Sequence, residues 1–430
     1  VSSTPTSRST GAVAELVGTL LAERRPGHCL PGAMYAAAEV FAADLEHVWH
    51  RQWVFAGHEC EVAEPGAFVT LTVGSYPLVV VRGLDGELRA LHNVCRHRGA
   101  VLCEAPSGNT RRKFVCPYHQ WVYELDGTLY RARSMDDGVE PAEHGLLPAH
   151  CATVGGLVFV CVTPQPPPFE PFRRAVEAHL APFDLRTAKV AFESTIVEAG
   201  NWKIVMENNR ECYHCRLSHP ELVTTFPQSP VHSGGGSDDE VRATAELVAR
   251  CEAAGLPSGL RVSQDHQYRV MRIALAGGAS SMTLDGTPAV THRFAGLPGP
   301  DALDSLGDVL LYHYPSTWSH LMADHVVTFR LLPTGPATTE LRTTWLVPGD
   351  AVEGEHYDVA ALTKVWLATN DQDSALVGRA QRGVSSPAFR PGPYSPVEEE
   401  GVIQFVEWYA DVLAGSIDGR SDRVATGGAG

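Results

Sequence analysis

Two short loops constrain the fold of this 430-residue chain more than anything else in it: Cys95-Arg96-His97 and Cys116-Pro117-Tyr118-His119, separated by eighteen residues. Each offers one thiolate and one imidazole. Zinc also accepts two Cys and two His, but its usual spacings set Cys near Cys and His near His. Here each loop mixes the two. Two thiolates on one iron and two imidazoles on the other hold a [2Fe–2S] cluster, at a higher potential than four thiolates give. A scaffold must therefore present both loops side by side, and the chain's first task is to handle one electron at a time.

The flanking sequence predicts that scaffold. Residues 68–73 and 77–82 read as strands, with the hairpin signal Leu84-Asp85-Gly86-Glu87 directly after them. Leu125-Asp126-Gly127-Thr128 repeats the signal just after the second loop, so both loops are expected on hairpin tips of a small all-β domain. Five prolines between Pro164 and Pro171 mark its end. The expected division is a tail and helix over 1–48, the cluster domain over 49–165, a larger domain over 166–415 and a flexible tail over 416–430. In the larger domain, 322–347 reads as two strands around Gly335-Pro336, while 357–381 and 398–414 have helical spacing. The first twelve residues are expected to be disordered, and 232–240 (HSGGGSDDE) to form a mobile surface loop. The fold class is α+β.

A second constellation lies in 201–221, NWKIVMENNRECYHCRLSHPE. His214 and His219 are close in sequence, and Pro220 stops any helix immediately after. Two imidazoles with one carboxylate form the facial triad of non-haem Fe(II) sites, which leaves metal positions open. Redox-inert zinc suits the same ligands but leaves a neighbouring electron carrier without purpose. The carboxylate is expected from Asn370-Asp371-Gln372-Asp373, with Asp373 preferred to Asp371. Asn208, Glu211 and Tyr213 crowd the same segment. Three residues before His214, on one helical face, the Glu211 carboxylate reaches that imidazole. A carboxylate on the second ring N–H of a metal-bound histidine fixes its orientation and raises its basicity.

Composition narrows the partners. The net charge of −16, from 34 basic and 50 acidic residues, argues against nucleic acid and anionic membrane. No apolar run is long enough to span a bilayer, and no charged-then-apolar segment opens the chain. The ten cysteines do not form a secreted disulfide framework. A cytoplasmic protein is expected.

Over nearly its whole length the chain resembles the α-subunit of Rieske non-haem iron oxygenases. Pro117 and Tyr118 stand where respiratory-chain Rieske proteins carry a disulfide cysteine, so the loops resemble the oxygenase branch. ENNRECYHC at 207–215, followed by His219-Pro220-Glu221-Leu222, is similar to the branch acting on quaternary ammonium compounds, such as glycine betaine and stachydrine demethylases. Pro315-Ser316-Thr317-Trp318, Asp324-His325, the 366–373 segment, 381–387 and 391–394 continue the similarity. The resemblance implies a larger domain of helix-grip type, an antiparallel sheet with helices. It implies a cluster on Cys95, His97, Cys116 and His119, and Fe(II) on His214, His219 and Asp373, with Glu211 and Asn208 as catalytic neighbours. It further implies O2 as co-substrate and a separate flavin/iron-sulfur reductase that passes electrons from NAD(P)H. Glu211 would link an iron-ligand histidine to a cluster histidine of the next subunit in a head-to-tail homo-oligomer, a trimer or hexamer, since heterologous contacts close into rings.

The implied reaction is N-demethylation of a small betaine-like compound through C–H hydroxylation. A quaternary ammonium has no N–H to donate, so ring faces must recognise it. Phe226, Tyr312 and Trp318 are the pocket candidates, with Tyr268 and Tyr314 beside them. Two departures stand out: Leu376-Val377-Gly378, where an acid is expected after the valine, and Phe389, where the branch often has Tyr. They support a second reading, a biosynthetic N-oxygenase acting on a small amine or amino-heterocycle with the metal residues intact. A third, an electron carrier without chemistry of its own, is opposed by the set His214, His219 and Asp373. Ring hydroxylation of an aromatic acid is disfavoured by Glu rather than Asp at 211.

Overall fold

The cluster loops rest against a seven-stranded antiparallel sheet in a computed structural model that describes residues 7–135, 138–227 and 236–417. The strand order is Val54–His58, Leu157–Cys161, Pro148–Val154, Leu88–His92, Tyr76–Arg82, Ala67–Val73 and Ser107–Asn109. Alternation along each strand sorts its side chains to two faces. Val69, Leu71, Leu78 and Val80 join the main core of the molecule. Phe68, Val79 and Val81 face the other way and pack with Cys95, Phe114, Cys116 and Tyr123. On that second face lies a three-stranded sheet, Lys113–Val115, Val122–Glu124 and Leu129–Arg131. Both expected hairpins are present, each turning on a left-handed glycine, Gly86 (φ 84°) and Gly127 (φ 91°). The second cluster loop is the tip between the first two strands of the small sheet. The first comes after Leu88–His92 and is closed by a bridge between Val94 and Val101.

A second seven-stranded antiparallel sheet runs Ala188–Glu198, Thr338–Pro348, Val326–Gly335, Thr317–Leu321, Asp308–His313, Tyr268–Ile273 and Arg261–Val262. Its two longest central strands turn at Gly335-Pro336, as expected. Across one face Arg269 pairs with Tyr312, Tyr312 with Trp318, and Trp318 with Phe329, a single row over four strands. The helix Val359–Val384, capped by the Asp358 carboxylate, lies over this face. Its Trp366 ring sits 4.5 Å from His320 and 5.1 Å from Phe329, and Asn370 donates to Thr343 Oγ1 at 2.9 Å. That arrangement is the expected helix-grip.

Three expectations are corrected. Residues 7–12 are helical, within Ser7–Glu23, instead of disordered. Their Ser, Thr and Gly content is outweighed by the stripe Val13, Leu16, Val17, Leu20 and Leu21 further along, which docks on the core and carries the helix back. Residues 237–240 are likewise ordered: Ser237 and Glu240 form a capping box that starts the helix Asp238–Ala253. Asp238, Asp239 and Glu240 then supply negative charge at the positive end of the helix dipole. Residues 232–235 of that segment and the tail from 418 onward lie outside the described residues. Among the described residues, the segment before residue 49 holds three α-helices, Ser7–Glu23, Ala33–Ala36 and Ala38–Asp44, the last running on into the π-helical turn Leu45–Trp49, where one helix was expected. Among the described residues, no helix is long and apolar enough to cross a membrane.

Candidate metal centres and the cavity between sheet and helix

The two cluster loops are one backbone device used twice. Cys95 N–H donates to Ala100 O (2.8 Å) and Gly99 N–H to Cys95 O (3.0 Å); Cys116 N–H donates to Trp121 O (2.8 Å) and Gln120 N–H to Cys116 O (3.1 Å). Each turn closes on a positive φ four residues after the cysteine, 75° at Gly99 and 60° at Gln120. Both thiols are thereby buried, while His97 and His119 stay half-buried at the tip. Their rings meet edge to face at 4.6 Å, and His97 stacks on Trp121 at 4.9 Å. Burial pushes the Cys116 thiol above its usual pKa, loop N–H groups of Tyr118 and His119 pull it back, and the adjacent Cys95 sulfur adds to the rise. His97 Nδ1 is buried without a hydrogen-bond partner. Two buried thiols side by side and an orphaned imidazole nitrogen fit a [2Fe–2S] cluster. Tyr123 Oη stands 3.2 Å from Cys95 Sγ and accepts the Arg96 N–H at 3.0 Å.

The second constellation begins where the helix Trp202–Asn209 ends. Glu211 is not on a helical face as expected. The chain leaves the helix at Arg210, and the Glu211 carboxylate organises the turn after it. It accepts the backbone N–H groups of Tyr213 and His214 and binds His214 Nδ1 at 2.5 Å. A Cys212–Cys215 disulfide closes the same turn. The expected carboxylate–imidazole pair is therefore present, made by a turn in place of a helix.

His214 Nε2 and His219 Nε2 lie 2.9 Å apart, and Asp373 Oδ1 lies 3.0 Å from His219 Nε2 and 3.4 Å from His214 Nε2. Each outer ring nitrogen is tied down: His214 Nδ1 to Glu211, and His219 Nδ1 to Gln372 Oε1 at 2.8 Å. Gln372 is steadied in turn by donating to Glu221 Oε2 at 2.8 Å. With Nδ1–H engaged, both Nε2 atoms present lone pairs toward one carboxylate oxygen. Ligands bound at about 2.1 Å and set at right angles stand about 3 Å apart, so the spacing fits a divalent cation. The electrostatics agree. Burial opposes charge on His214, yet Asp373 and Glu211 outweigh it and push its pKa up to about 9. Asp373 Oδ1 is buried, with the two ring nitrogens as its neighbours. Asp371, the reserve, lies two residues earlier on the far side of the helix and is exposed. Asn208 Nδ2 approaches His214 Nε2 at 3.4 Å.

Above these donors opens a cavity with about 710 Å³ of atom-free space, solvent at its mouth included. Trp366, Thr369 and Asp373 face it from the long helix at helical spacing, and Phe226, Tyr312 and Trp318 are among the residues that line it. His320 lines it too, held by Asp308 at 2.7 Å. Tyr268 and Tyr314 do not line the cavity. Tyr268 pairs with His313 one step off the Arg269–Tyr312 row, so alternation sends it behind the sheet against Phe172. Tyr314 is fully buried against Phe405 and Trp408. Neither Gly378 nor Phe389 lines the cavity: Gly378 lies beside Ala199 and Arg382, and Phe389 beside Gly32. The sequence departures at those positions thus fall outside its wall.

Sequence reasoning missed Tyr123, Arg210, Arg269, His320, Trp366 and Gln372. Trp366 was discoverable, because it lies two helical turns before Asp373. The strand residues needed the cross-strand register.

Comparison with known proteins agrees with this geometry. Residues 52–146 match the Rieske [2Fe-2S] domain, and residues 185–415 match the ring hydroxylating alpha subunit (catalytic domain). The glycine betaine monooxygenase oxygenase subunit of Chromohalobacter salexigens is 41% identical over 415 residues, covering 95% of this chain and 91% of that one. The carnitine monooxygenase oxygenase subunit of Acinetobacter pittii is 32% identical over 199 residues, 44% of this chain and 52% of that one. Among solved structures, the quaternary ammonium Rieske monooxygenase CntA has the same fold, with a TM-score of 0.69 at 20% identity over 92% of this chain and 98% of that one. The chain belongs to the ring-hydroxylating α-subunit family of Rieske oxygenases, oxidoreductases that combine a [2Fe–2S] cluster with a mononuclear iron, take electrons from a reductase and react with O2.

Proposed function

We propose that this chain oxidises an N-methyl carbon of a small quaternary ammonium compound. His214, His219 and Asp373 hold the iron, and Cys95, His97, Cys116 and His119 hold the cluster. The observation that carries the reading is one cavity uniting the His214–His219–Asp373 donors with the faces of Phe226, Trp318 and Trp366. Ring faces attract a cation that has no N–H to offer. When bound, the metal groups supply single electrons and the reductive activation of O2 needed to hydroxylate a C–H bond. Hydroxylation of an N-methyl carbon gives a carbinol that collapses to formaldehyde and the demethylated amine. The relatives named for glycine betaine and carnitine support the substrate class.

The protein's own residues orient and link. Glu211 fixes the His214 ring through Nδ1, Gln372 fixes His219 through Nδ1, and the Asn208 amide packs 3.4 Å from His214 Nε2 at the edge of the donor set. In the proposed head-to-tail trimer, the outer face of Glu211 receives a cluster histidine of the next subunit and passes the electron across. The cluster domain is proposed to span 49–165 and the catalytic domain 166–415. A cytoplasmic setting suits both an NAD(P)H-dependent reductase and the cysteines Cys29, Cys60, Cys103, Cys151, Cys161 and Cys251, which are in neither the disulfide nor the cluster set.

A single turnover tests the reading. The iron-loaded protein is reduced chemically without air, then given O2 with betaines, N-methyl amines and primary amines, and products are read by mass spectrometry. Formaldehyde with loss of one methyl is expected. Oxygen added to nitrogen would replace it with the N-oxygenase reading. Two irons per chain instead of three, with no product, would leave an electron carrier.

A further inference from the structure

One wall of the cavity carries a titratable pair that neither metal centre uses. His320 stands two residues after Trp318 on the same face of its strand, in a second row Met271–Leu310–His320–Val327 that is otherwise apolar. It is 5% exposed, and the fully buried Asp308 carboxylate holds its Nδ1 at 2.7 Å. The other Asp308 oxygen accepts the Leu321 N–H at 2.9 Å, so both ends of the carboxylate are fixed. The Trp366, Phe226 and Phe329 rings surround the imidazole at 4.5, 5.6 and 6.3 Å. Among the described residues Asp308 is the one charged group paired with His320; Arg210, Glu211, His214, His219, Arg269 and Asp373 line the cavity elsewhere. His58, which does not line the cavity, is a structural histidine with both nitrogens engaged, Nδ1 with Glu61 at 2.8 Å and Nε2 with Thr328 Oγ1 at 3.0 Å. His320 has only the first kind of partner. Its Nε2 bonds to no group among the described residues and opens to the cavity.

A histidine whose Nδ1–H is committed to a carboxylate presents its Nε2 lone pair, and the carboxylate steadies the imidazolium that forms when that lone pair takes a proton. The proposed reaction has a step that needs such a group. Hydroxylating an N-methyl carbon of a quaternary ammonium gives an N-hydroxymethyl ammonium, whose nitrogen has no lone pair to drive its own breakdown. Collapse begins when the O–H proton leaves. We propose that His320, backed by Asp308, is the base for that step. Nε2 takes the hydroxyl proton, an oxygen pair forms the C=O bond of formaldehyde, and the C–N pair departs on the tertiary amine. The imidazolium then gives its proton to solvent at the cavity mouth, and no oxidant or reductant is consumed. This rests on the N-demethylation reading and supplies its second half. The placement fits. Trp366 lies two helical turns before Asp373, and Phe226 follows His219 by seven residues, so two rings packed on His320 belong to segments that carry a metal donor. A product filling this cavity is within reach of Nε2 directly or through one water.

Acid quenching of a single turnover tests the base, because acid keeps the hydroxyl protonated and preserves the carbinol for mass spectrometry. The chemically reduced, metal-loaded protein is given O2 and glycine betaine, and substrate loss, carbinol (substrate plus one oxygen) and formaldehyde are followed together. In the wild type, formaldehyde should track substrate loss. In His320→Ala, substrate loss should keep its rate while carbinol accumulates and its collapse slows by about 100-fold or more, the ordinary contribution of a positioned base. Added imidazole, entering the vacated space, should speed the collapse in proportion to its concentration, and sodium chloride should not. Asp308→Asn, which keeps an acceptor for the Leu321 N–H, should slow the collapse less than His320→Ala does. Unchanged iron content confirms that the variants fold. Formaldehyde that tracks substrate loss in both variants overturns the base while the demethylation reading stands. So does equal slowing of substrate loss and formaldehyde with no carbinol, the signature of a group that only positions substrate. If the wild type forms neither carbinol nor formaldehyde from glycine betaine, the demethylation reading fails and the base with it.

Discussion

Tyr123 shows how one side chain acts on a metal group it does not ligate. Its hydroxyl accepts the Arg96 N–H, which leaves its own proton free to point at Cys95 Sγ, 3.2 Å away. A donor on a cluster sulfur stabilises the reduced state, which carries the extra negative charge. Tyr123→Phe should therefore lower the cluster potential by on the order of 50–100 mV, the size of one hydrogen bond to a charged acceptor in a one-electron couple. Spectroelectrochemical titration reads the shift directly, and an unchanged potential would mean that the hydroxyl does not donate to the sulfur. At this scale the sequence is uneven. Cys95, His97, Cys116 and His119 were legible because both loops carry their ligands within four residues, a local property. His214 and Glu211 were legible for the same reason. Arg269 and Tyr123 were not, because what they touch is decided by which strand lies beside which.

Elements owe their placement here to groups buried far from the cavity. The helix Trp202–Asn209 precedes the Glu211 turn, and its Trp202 Nε1 and Lys203 Nζ both bond to Asp44 at the end of Ala38–Asp44. Tyr409 of the helix Glu400–Ile417 donates to the other oxygen of Asp44 at 2.6 Å. Asp44 and Lys203 are completely buried, so one carboxylate joins three helices. Removing it leaves a buried ammonium uncompensated, a change that costs about 3–5 kcal/mol. Asp44→Ala should lower the unfolding midpoint accordingly, and adding Lys203→Met should restore much of the loss, as followed by denaturant unfolding. A single-variant cost below about 1 kcal/mol would show that water already reaches the pair. None of this was visible in sequence, where Asp44 and Lys203 are isolated charges far apart. Strands and long helices were visible through their periodicity. The start of Ser7–Glu23 was not, because its first residues are polar and the stripe that anchors them comes later.

At the scale of the whole molecule, the cluster tip and the Glu211 turn both carry exposed apolar groups. Tyr118 at the tip is 55% exposed, while Tyr213 and Leu217 beside His214 are 66% and 94% exposed. Large apolar groups left in solvent at two functional sites are what docking surfaces present. The proposed ring places the tip of one subunit against the Glu211 turn of the next, with electrons crossing between chains. Two inactive variants test this: Cys116→Ser, which cannot hold the cluster, and His219→Ala, which cannot hold the iron. Co-expressed with different tags and purified as mixed trimers, they recover activity only where an intact cluster faces an intact iron site across a junction. A head-to-tail ring that holds both variants has one productive junction in three, so about a third of the wild-type rate is expected. Adding Glu211→Gln to the iron-bearing chain should remove that third while both metal centres stay loaded, because the amide no longer supplies the carboxylate between the two histidines. Mixed trimers as inactive as their parents would place the electron path within one chain and leave Glu211 as an anchor for His214 alone.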